Sequence, residues 1–134
     1  MNYWLLKTEP DTYSWDDLAR DKKGVWDGVR NFQARKNLGV MAKGDVALIY
    51  HTGDQKAIVG LAKVTKGPYP EAKDPAWVCV DLAPDKPLAN PVTLAAIRME
   101  KTLAQMVLVK AARLSVQPVR PEEFKRILEL SKKP

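Results

Sequence analysis

The chain contains very little cysteine and histidine, with Cys79 and His51 as the single residues of each type among 134 residues. One thiol excludes an internal disulfide and a cysteine-based zinc site, and it fits a reducing compartment. One imidazole excludes a metal site built on a histidine pair, and no tight carboxylate cluster offers an alternative. We therefore expect no metal or other cofactor, and a packed, unreactive thiol at Cys79.

Long apolar runs are also missing. The longest of them, such as Val46–Tyr50, are far too short to cross a bilayer. The first residues, Met1–Leu6, lack a basic leader, a long apolar stretch and a small-residue cleavage site, and they indicate a first strand instead. These absences predict a cytoplasmic protein with no membrane partner.

A phosphate-binding loop is incomplete in this chain. Gly39 and Gly44 have the glycine spacing of such a loop, but Asp45 and Val46 stand where a lysine and a hydroxyl residue are required. A carboxylate at that place would face the phosphate with the wrong charge. This pattern excludes nucleotide hydrolysis of the P-loop type, and Gly39 is better explained as the end of a helix.

Positive charge is present in excess. Lysine and arginine total 22 against 16 acidic residues, which gives a formal charge of +6 and a pI near 9.5. The basic residues concentrate between Arg20 and Lys36 and again from Arg98 to the end. Such a surface favours polyanionic partners through counterion release, although many basic proteins bind no nucleic acid. The length and the ordinary globular composition predict one domain, residues 1–134.

Capping signals predict several short helices. Ser14 is a suitable N-cap for a helix that extends to Asp21, and Gly24 is expected to terminate it. Asn31 is a suitable N-cap for a second helix to about Met41. Thr93 caps a further short helix, and Pro121 occupies the first turn of a terminal one.

Apolar runs predict five strands: Tyr3–Lys7, Val46–His51, Ala57–Thr65, Trp77–Leu82 and Leu114–Val119. Gly60 inside the third strand indicates a bulge or a close backbone approach. A connection rich in proline, with Pro84, Pro87 and Pro91, follows the fourth strand. Strands and helices do not alternate regularly, which argues against a doubly wound parallel sheet. We predict an α+β monomer in which a mixed, mainly antiparallel sheet forms a small, partly open barrel with short helices around it.

The segment Trp26–Arg35 concentrates groups that bind flat polar ligands. One indole, two guanidiniums and two amides surround a glycine turn, and they belong to Trp26, Arg30, Arg35, Asn31 and Gln33. Buried amides and charges are costly unless each finds a partner, so this surplus indicates a binding site. The alternative is that Trp26 caps the core while Arg30 and Arg35 lie on a solvated helix face.

Nucleic acid recognition requires an aromatic face for stacking, amides that read base edges and cations for phosphate. Trp26 supplies the face, Asn31 an amide, and Arg30 and Arg35 the charge. Further polar residues stand at predicted strand ends, which a barrel could bring together: Thr8, Tyr50, His51, Ser115 and Gln117.

Two other functions remain open on the residues alone. An enzyme acting on modified nucleic acid would use His51 as general base with Glu9 assisting, and a dyad of Cys79 and His51 is also conceivable. Nothing nearby in the sequence would orient the imidazole, however, and a lone histidine at a strand end is more often a hydrogen-bonded rim residue. The other alternative is a basic module that binds an acidic protein.

Four blocks in order resemble the EVE domain family: Tyr3–Pro10, Trp26–Arg35, Tyr50–His51 and Leu114–Val119. They span nearly the entire chain, and the second block is the most distinctive. The family belongs to the PUA-like superfamily and is similar to the YTH readers of methylated adenine. The resemblance implies a PUA-like bent β-barrel with a pocket for a flipped, modified base, such as a methylated or hydroxymethylated cytosine, and it implies no catalytic reaction.

The resemblance also assigns roles to residues of this chain. Trp26 would wall the pocket, while Arg30 and Asn31 would shape it and contact the base or its phosphate. The rim would consist of Thr8, Tyr50, His51, Ser115 and Gln117. With Arg35 anchoring a flanking phosphate, the expected function is non-enzymatic binding of modified bases, and the sequence leaves open whether DNA or RNA carries them.

Overall fold

A mixed six-stranded sheet forms the centre of the protein. The computed structural model describes residues 1–133. The strands are β1 (Tyr3–Thr8), β2 (Gly24–Trp26), β3 (Val46–His51), β4 (Ala57–Pro70), β5 (Val78–Thr93) and β6 (Val116–Val119). They pair in the order β2-β5-β4-β3-β1-β6, with β1 and β3 parallel and every other pair antiparallel. Because β2 and β6 remain as edges, the sheet is open, and the predicted α+β fold with a mainly antiparallel sheet is confirmed.

Short helices flank this sheet: α1 (Trp15–Asp21), α2 (Phe32–Leu38), α3 (Leu94–Arg98), α4 (Val107–Lys110) and α5 (Pro121–Ser131). The predicted N-caps are confirmed, since the Ser14 hydroxyl accepts the N–H of Asp17 at 3.0 Å and the Asn31 side-chain carbonyl accepts the N–H of Ala34 at 2.9 Å. Thr93 caps α3 in the same way. Among residues 1–133, no helix is both long enough and apolar enough to span a membrane.

One predicted terminating residue and one predicted helix end are wrong. The first helix ends at Asp21 as predicted, but its C-cap is Lys22 and not Gly24, because Lys22 adopts the left-handed conformation with φ 64° and its N–H bonds to the carbonyl of Leu18. Gly24 instead begins β2, where a Cβ atom would lie 2.9 Å from Cδ1 of Leu18. The second helix ends at Leu38 rather than near Met41. Met41 is nevertheless buried, as the apolar spacing predicted.

The predicted proline-rich connection is also wrong, because Pro84, Pro87 and Pro91 lie inside the long strand β5. β2 covers β5 only opposite Val80–Leu82, so the later part of β5 has one side without a strand partner. Proline is tolerated in a sheet mainly on edges and at bulges, and this part of β5 is an edge. The β4–β5 pairing also contains several register shifts, which relax the requirement for a continuous ladder.

Hydrophobic clusters cover both faces of the sheet. Leu6 belongs to a cluster that includes Trp15 and Trp26, whereas Leu5 belongs to the other cluster, which includes Tyr50 and Ile127. Side chains alternate between faces along a strand, so adjacent residues of β1 enter different clusters. All six residues of β3 are buried because both faces of the sheet are covered, which confirms the prediction of a buried strand.

Gly60 of β4 permits a close contact between α1 and the sheet. A Cβ atom at this position would lie 2.5–2.6 Å from atoms of the Trp15 indole. The indole N–H donates to the carbonyl of Leu61 at 3.0 Å, and the pairing of β4 shifts register on both sides of Gly60. The bulge and the close approach predicted for this glycine are therefore both present.

The substitution Gly60→Ala tests this contact. Overpacking a tight site costs about 1–3 kcal/mol, so we expect the free energy of unfolding in urea to fall by roughly that amount. In a Trp15→Leu background the ring is absent, and the same alanine should cost much less. An equal cost in the two backgrounds would show that the indole does not impose the requirement for glycine.

Candidate functional site

An open cavity of about 800 Å³ lies where the end of β1 faces β2 and the segment that connects β2 to α2. This volume is in the range of pockets that hold small molecules. The cavity walls consist of Lys7, Thr8, Thr12, Tyr13, Asp21, Lys23, residues 24–31 and Ser115. Five of the nine predicted site residues are therefore brought together: Thr8, Trp26, Arg30, Asn31 and Ser115.

Trp26 forms part of the cavity wall and part of the core at once. Its position is fixed because β2 pairs with β5, opposite Val80. The residue is 9% exposed and packs in the cluster that contains Leu18 and Leu38. Tyr13 contacts the indole edge-on, with 6.3 Å between ring centroids and 75° between planes. The indole is therefore rigidly held, and it is not sealed from the cavity that it lines.

Glu71 organises the turn beside Trp26. This carboxylate is only 5% exposed, and it accepts hydrogen bonds from both terminal nitrogens of Arg30 at 2.8 Å and from the Gly28 N–H at 3.0 Å. Gly28 has φ +77°, which a glycine adopts without strain. The hydrogen bond from Arg30 dominates over desolvation and, with the Gly28 N–H, lowers the pKa of Glu71. The same pairing raises the pKa of Arg30.

Sequence reasoning missed Glu71 as well as the lining residues Tyr13 and Lys23. Glu71 is 43 positions from Gly28 and 41 from Arg30, so no local pattern links them. Arg30 was expected to offer its charge to a ligand. Its guanidinium instead has a protein partner on one edge, and with a side-chain exposure of 45% it keeps a solvent-facing part.

The polar residues at the cavity differ in how many of their hydrogen-bonding groups already have a partner within the protein. The Thr8 hydroxyl donates to the carbonyl of Tyr13 at 2.6 Å. Asn31 uses its side-chain oxygen as the cap of α2, which leaves its NH₂ group directed away from that bond. Ser115 contributes a half-buried side chain, while its carbonyl accepts the N–H of Lys7 at 3.0 Å. The walls thus offer an amide donor and a hydroxyl beside an aromatic face.

Tyr50 and Gln117 lie away from the cavity, which corrects their predicted place on its rim. Tyr50 belongs to the hydrophobic cluster on the face opposite Trp26. Val116 lies in the cluster of Trp26, so the next residue, Gln117, is on the opposite face of the sheet. The amide of Gln117 donates to the carbonyl of Leu114 at 2.8 Å. Strand ends do meet as predicted, but the two-residue period directs these side chains to the other face.

His51 is also absent from the cavity walls, although it lies on the same face of the sheet as Trp15. Its Nε2 accepts the backbone N–H of Trp15 at 3.0 Å, and its Nδ1 lies 2.7 Å from the side-chain oxygen of Gln55. These partners assign the proton to Nδ1. Both ring nitrogens are engaged within the protein, so the imidazole has the structural role of anchoring the start of α1.

Arg35 is the fourth predicted residue outside the cavity. Its guanidinium lies 5.0 Å from the ring centre of Phe32 and 5.2 Å from that of Trp77, and it donates to the carbonyl of Ala76 at 3.1 Å. The side chain borders a neighbouring groove along α2 instead. The distance from the cavity arises because Arg35 occupies the second turn of α2, on the side that faces residues 76–77.

Cys79 is buried, as the sequence predicted, and desolvation raises the pKa of its thiol. A thiol in this setting is not activated as a nucleophile. Within residues 1–133, no three side chains of the histidine, cysteine or carboxylate type form a group suited to a metal ion.

A family model described as the EVE domain matches residues 2–130. The chain belongs to the EVE domain family. The resemblance identified from the four sequence blocks is thereby confirmed, together with the PUA-like α+β fold. Thymocyte nuclear protein 1 of Mus musculus is 34% identical to this EVE domain over 96% of the chain and 73% of that protein.

Two solved structures extend this similarity. A protein from Rhodopseudomonas palustris, determined by NMR, is 44% identical and superimposes with a TM-score of 0.93 over 98% of this chain and 93% of that one. The human THYN1 protein, crystallised in complex with DNA that contains 5-methylcytosine, is 31% identical with a TM-score of 0.91 over 100% of this chain and 99% of that one.

The substitution Glu71→Gln tests how the cavity turn is held. The folded-state pKa of Glu71 is lowered, so its stabilising effect is present above the unfolded-state value of about 4.3 and is lost as the pH falls through the folded-state value. We expect the variant to be less stable than the parent at neutral pH. The difference in urea midpoint should shrink as the pH is lowered below about 4.

Glu129→Gln provides a matched control, because Glu129 is exposed and pairs with Arg126 far from the cavity. This control should change the midpoint little at any pH. A Glu71→Gln deficit that stays constant into the acid range would contradict the proposed dependence on the ionised carboxylate.

Proposed function

We propose that this EVE domain binds modified bases in nucleic acid, holding one extruded base in the cavity against Trp26 without a chemical reaction. The observation that carries the proposal is the open 800 Å³ cavity with an immobilised indole on its wall. A protein of the same fold, human THYN1, was crystallised with DNA that contains 5-methylcytosine. The proposed ligand is therefore a modified base such as a methylated cytosine in DNA or RNA.

The energetics of extrusion are consistent with this cavity. Removing a base from a duplex costs a few kcal/mol, and stacking on an aromatic side chain contributes about 1–3 kcal/mol per base. Trp26 is already fixed by Tyr13 and by the core, so binding does not have to order it. The NH₂ group of Asn31 and the hydroxyl of Ser115 supply hydrogen bonds to a base edge. Stacking and edge contacts together offset the cost of extrusion.

The charge of the whole chain favours a nucleic acid ligand, whereas the cavity walls carry groups of both signs. Lys7, Lys23 and Arg30 are positive, of which Lys23 and Arg30 pair with Asp81 and Glu71, and Asp21 and Asp27 are negative. Asp21 accepts the hydroxyl of Tyr13 at 3.1 Å, so part of its charge is engaged within the wall. The net formal charge of the whole chain is +6, which favours a polyanion.

Catalysis by His51 has little support in this geometry. Neither nitrogen of the imidazole faces the cavity, because one accepts from Trp15 and the other binds Gln55. Glu9, the expected assistant, accepts the hydroxyl of Thr52 at 3.1 Å on an exposed turn. A reader should therefore return a modified oligonucleotide unchanged, which mass spectrometry before and after incubation would establish.

Binding of free nucleosides tests the cavity directly. Cytidine, 5-methylcytidine and N6-methyladenosine form the panel, and intrinsic tryptophan fluorescence is the readout. We expect quenching by a modified nucleoside because the base stacks on Trp26. Substitution Trp26→Phe keeps an aromatic wall but removes this signal, while the fluorescence of Trp4, Trp15 and Trp77 remains.

Ser115→Phe provides a second variant, because a bulky ring should fill the cavity without removing any core side chain. Its affinity for the modified nucleoside should fall by about tenfold or more when measured by calorimetry. Trp26→Ala is less suitable, since truncating a buried tryptophan costs about 3–5 kcal/mol of stability. Unchanged fluorescence with the whole panel, or full affinity in the Ser115→Phe variant, would refute the assignment of this cavity.

A further inference from the structure

An exposed aromatic ring stands beside the cavity without a role in the core. Phe32 is 69% exposed, and it directly follows Asn31, which lines the cavity. Its ring stacks on Trp77, with 5.4 Å between centroids and 21° between planes. A single exposed apolar side chain needs no explanation, but this ring is part of an ordered stack.

Two guanidiniums complete the stack. Arg35 lies 5.0 Å from the centre of Phe32 and is held by the carbonyl of Ala76. Arg30 lies 5.2 Å from the centre of Trp77 and is held by the buried Glu71. We call Phe32, Trp77, Arg30 and Arg35 the stacking platform. Each guanidinium is fixed by a separate acceptor, so the platform keeps its shape.

The stacking platform connects two concave regions of the surface. Arg30 lines the base cavity and also contacts Trp77. On the other side, Phe32 and Arg35 border a groove of about 580 Å³ along α2, which Lys36 also lines. Glu71 balances part of the charge of Arg30, and Asp74, which accepts the N–H of Ala76, is a further acidic group beside it. The continuous surface is therefore aromatic, and Arg35 and Lys36 supply positive charge on its groove side.

We propose that the stacking platform binds the nucleotides that flank the extruded base on the same strand. This inference rests on the proposed function of the cavity. Exposed rings stack with bases of any sequence, and guanidiniums bind phosphates, so the surface matches a polynucleotide and not an acidic protein. The cavity, Arg30, Phe32 and the groove follow one another along the surface and define one route for the strand. The ligand is then a modified base within a strand, and the free nucleoside occupies only part of the site.

Comparing a nucleoside with a strand separates the platform from the cavity. Binding of 5-methylcytidine and of a short labelled single strand with one 5-methylcytosine is measured for the parent and for Phe32→Ala. Phe32 is exposed, so its removal should leave the fold intact. We expect an unchanged nucleoside affinity and a loss of about tenfold for the strand.

Val40→Ala is the matched control, because Val40 is also an exposed apolar residue, at 63%, and it borders neither the cavity nor the groove. Its affinity for the strand should equal that of the parent. Phe32→Trp should restore strand binding, since an indole also stacks, and Phe32→Leu should not.

The outcomes distinguish the two proposals. If the parent binds neither the nucleoside nor the strand, the proposed function of the cavity fails. If the nucleoside binds and Phe32→Ala matches Val40→Ala on the strand, the cavity assignment stands and the platform proposal is overturned. The platform proposal also fails if size-exclusion chromatography shows that Phe32→Ala dissociates an oligomer while strand affinity is unchanged, since the platform would then join copies of this chain.

Discussion

The placement of the Tyr13 wall of the cavity depends on how closely α1 approaches the sheet. Trp15 lies flat against the backbone at Gly60, where a Cβ atom would be 2.5 Å from the indole nitrogen. This contact fixes the start of α1, and the backbone N–H of Trp15 donates a further hydrogen bond to His51. Tyr13 precedes Ser14, the N-cap of this helix, and its ring contacts Trp26 edge-on. One steric requirement in β4 thereby determines the separation between the two aromatic walls.

A buried carboxylate provides the corresponding constraint on the other side. Glu71 directly follows β4, and its carboxylate accepts hydrogen bonds from Gly28 and Arg30. The turn after β2 therefore has a defined shape before any ligand binds. Breaking a buried ion pair by removing one partner is costly, because the other charge remains unpaired. Arg30 keeps a solvent-facing part. Its guanidinium also contacts the ring of Trp77, which extends the same constraint to the stacking platform.

Local signals predicted much of the fold and about half of the candidate site. The caps at Ser14 and Asn31 depend on residues three positions away, and a sequence displays such pairs directly. Tyr50 and Gln117 were misplaced because strand ends fix proximity, whereas the phase of the two-residue alternation fixes direction. Glu71 was missed for a different reason, since its partners are more than 40 positions away and only the sheet pairing brings them together.

The shared use of Trp26 links stability to recognition. Its indole belongs to the same buried cluster as Leu18 and Leu38, so the ring is ordered by the same burial that holds the fold together. A wall that is fixed before binding loses little conformational entropy when a base stacks on it, and more of the stacking energy then appears as affinity. Phe32 has no such burial, and Trp77 and Arg35 must order it instead. Core packing therefore orders the aromatic wall of the cavity before binding, whereas only surface stacking orders Phe32 in the platform beside it.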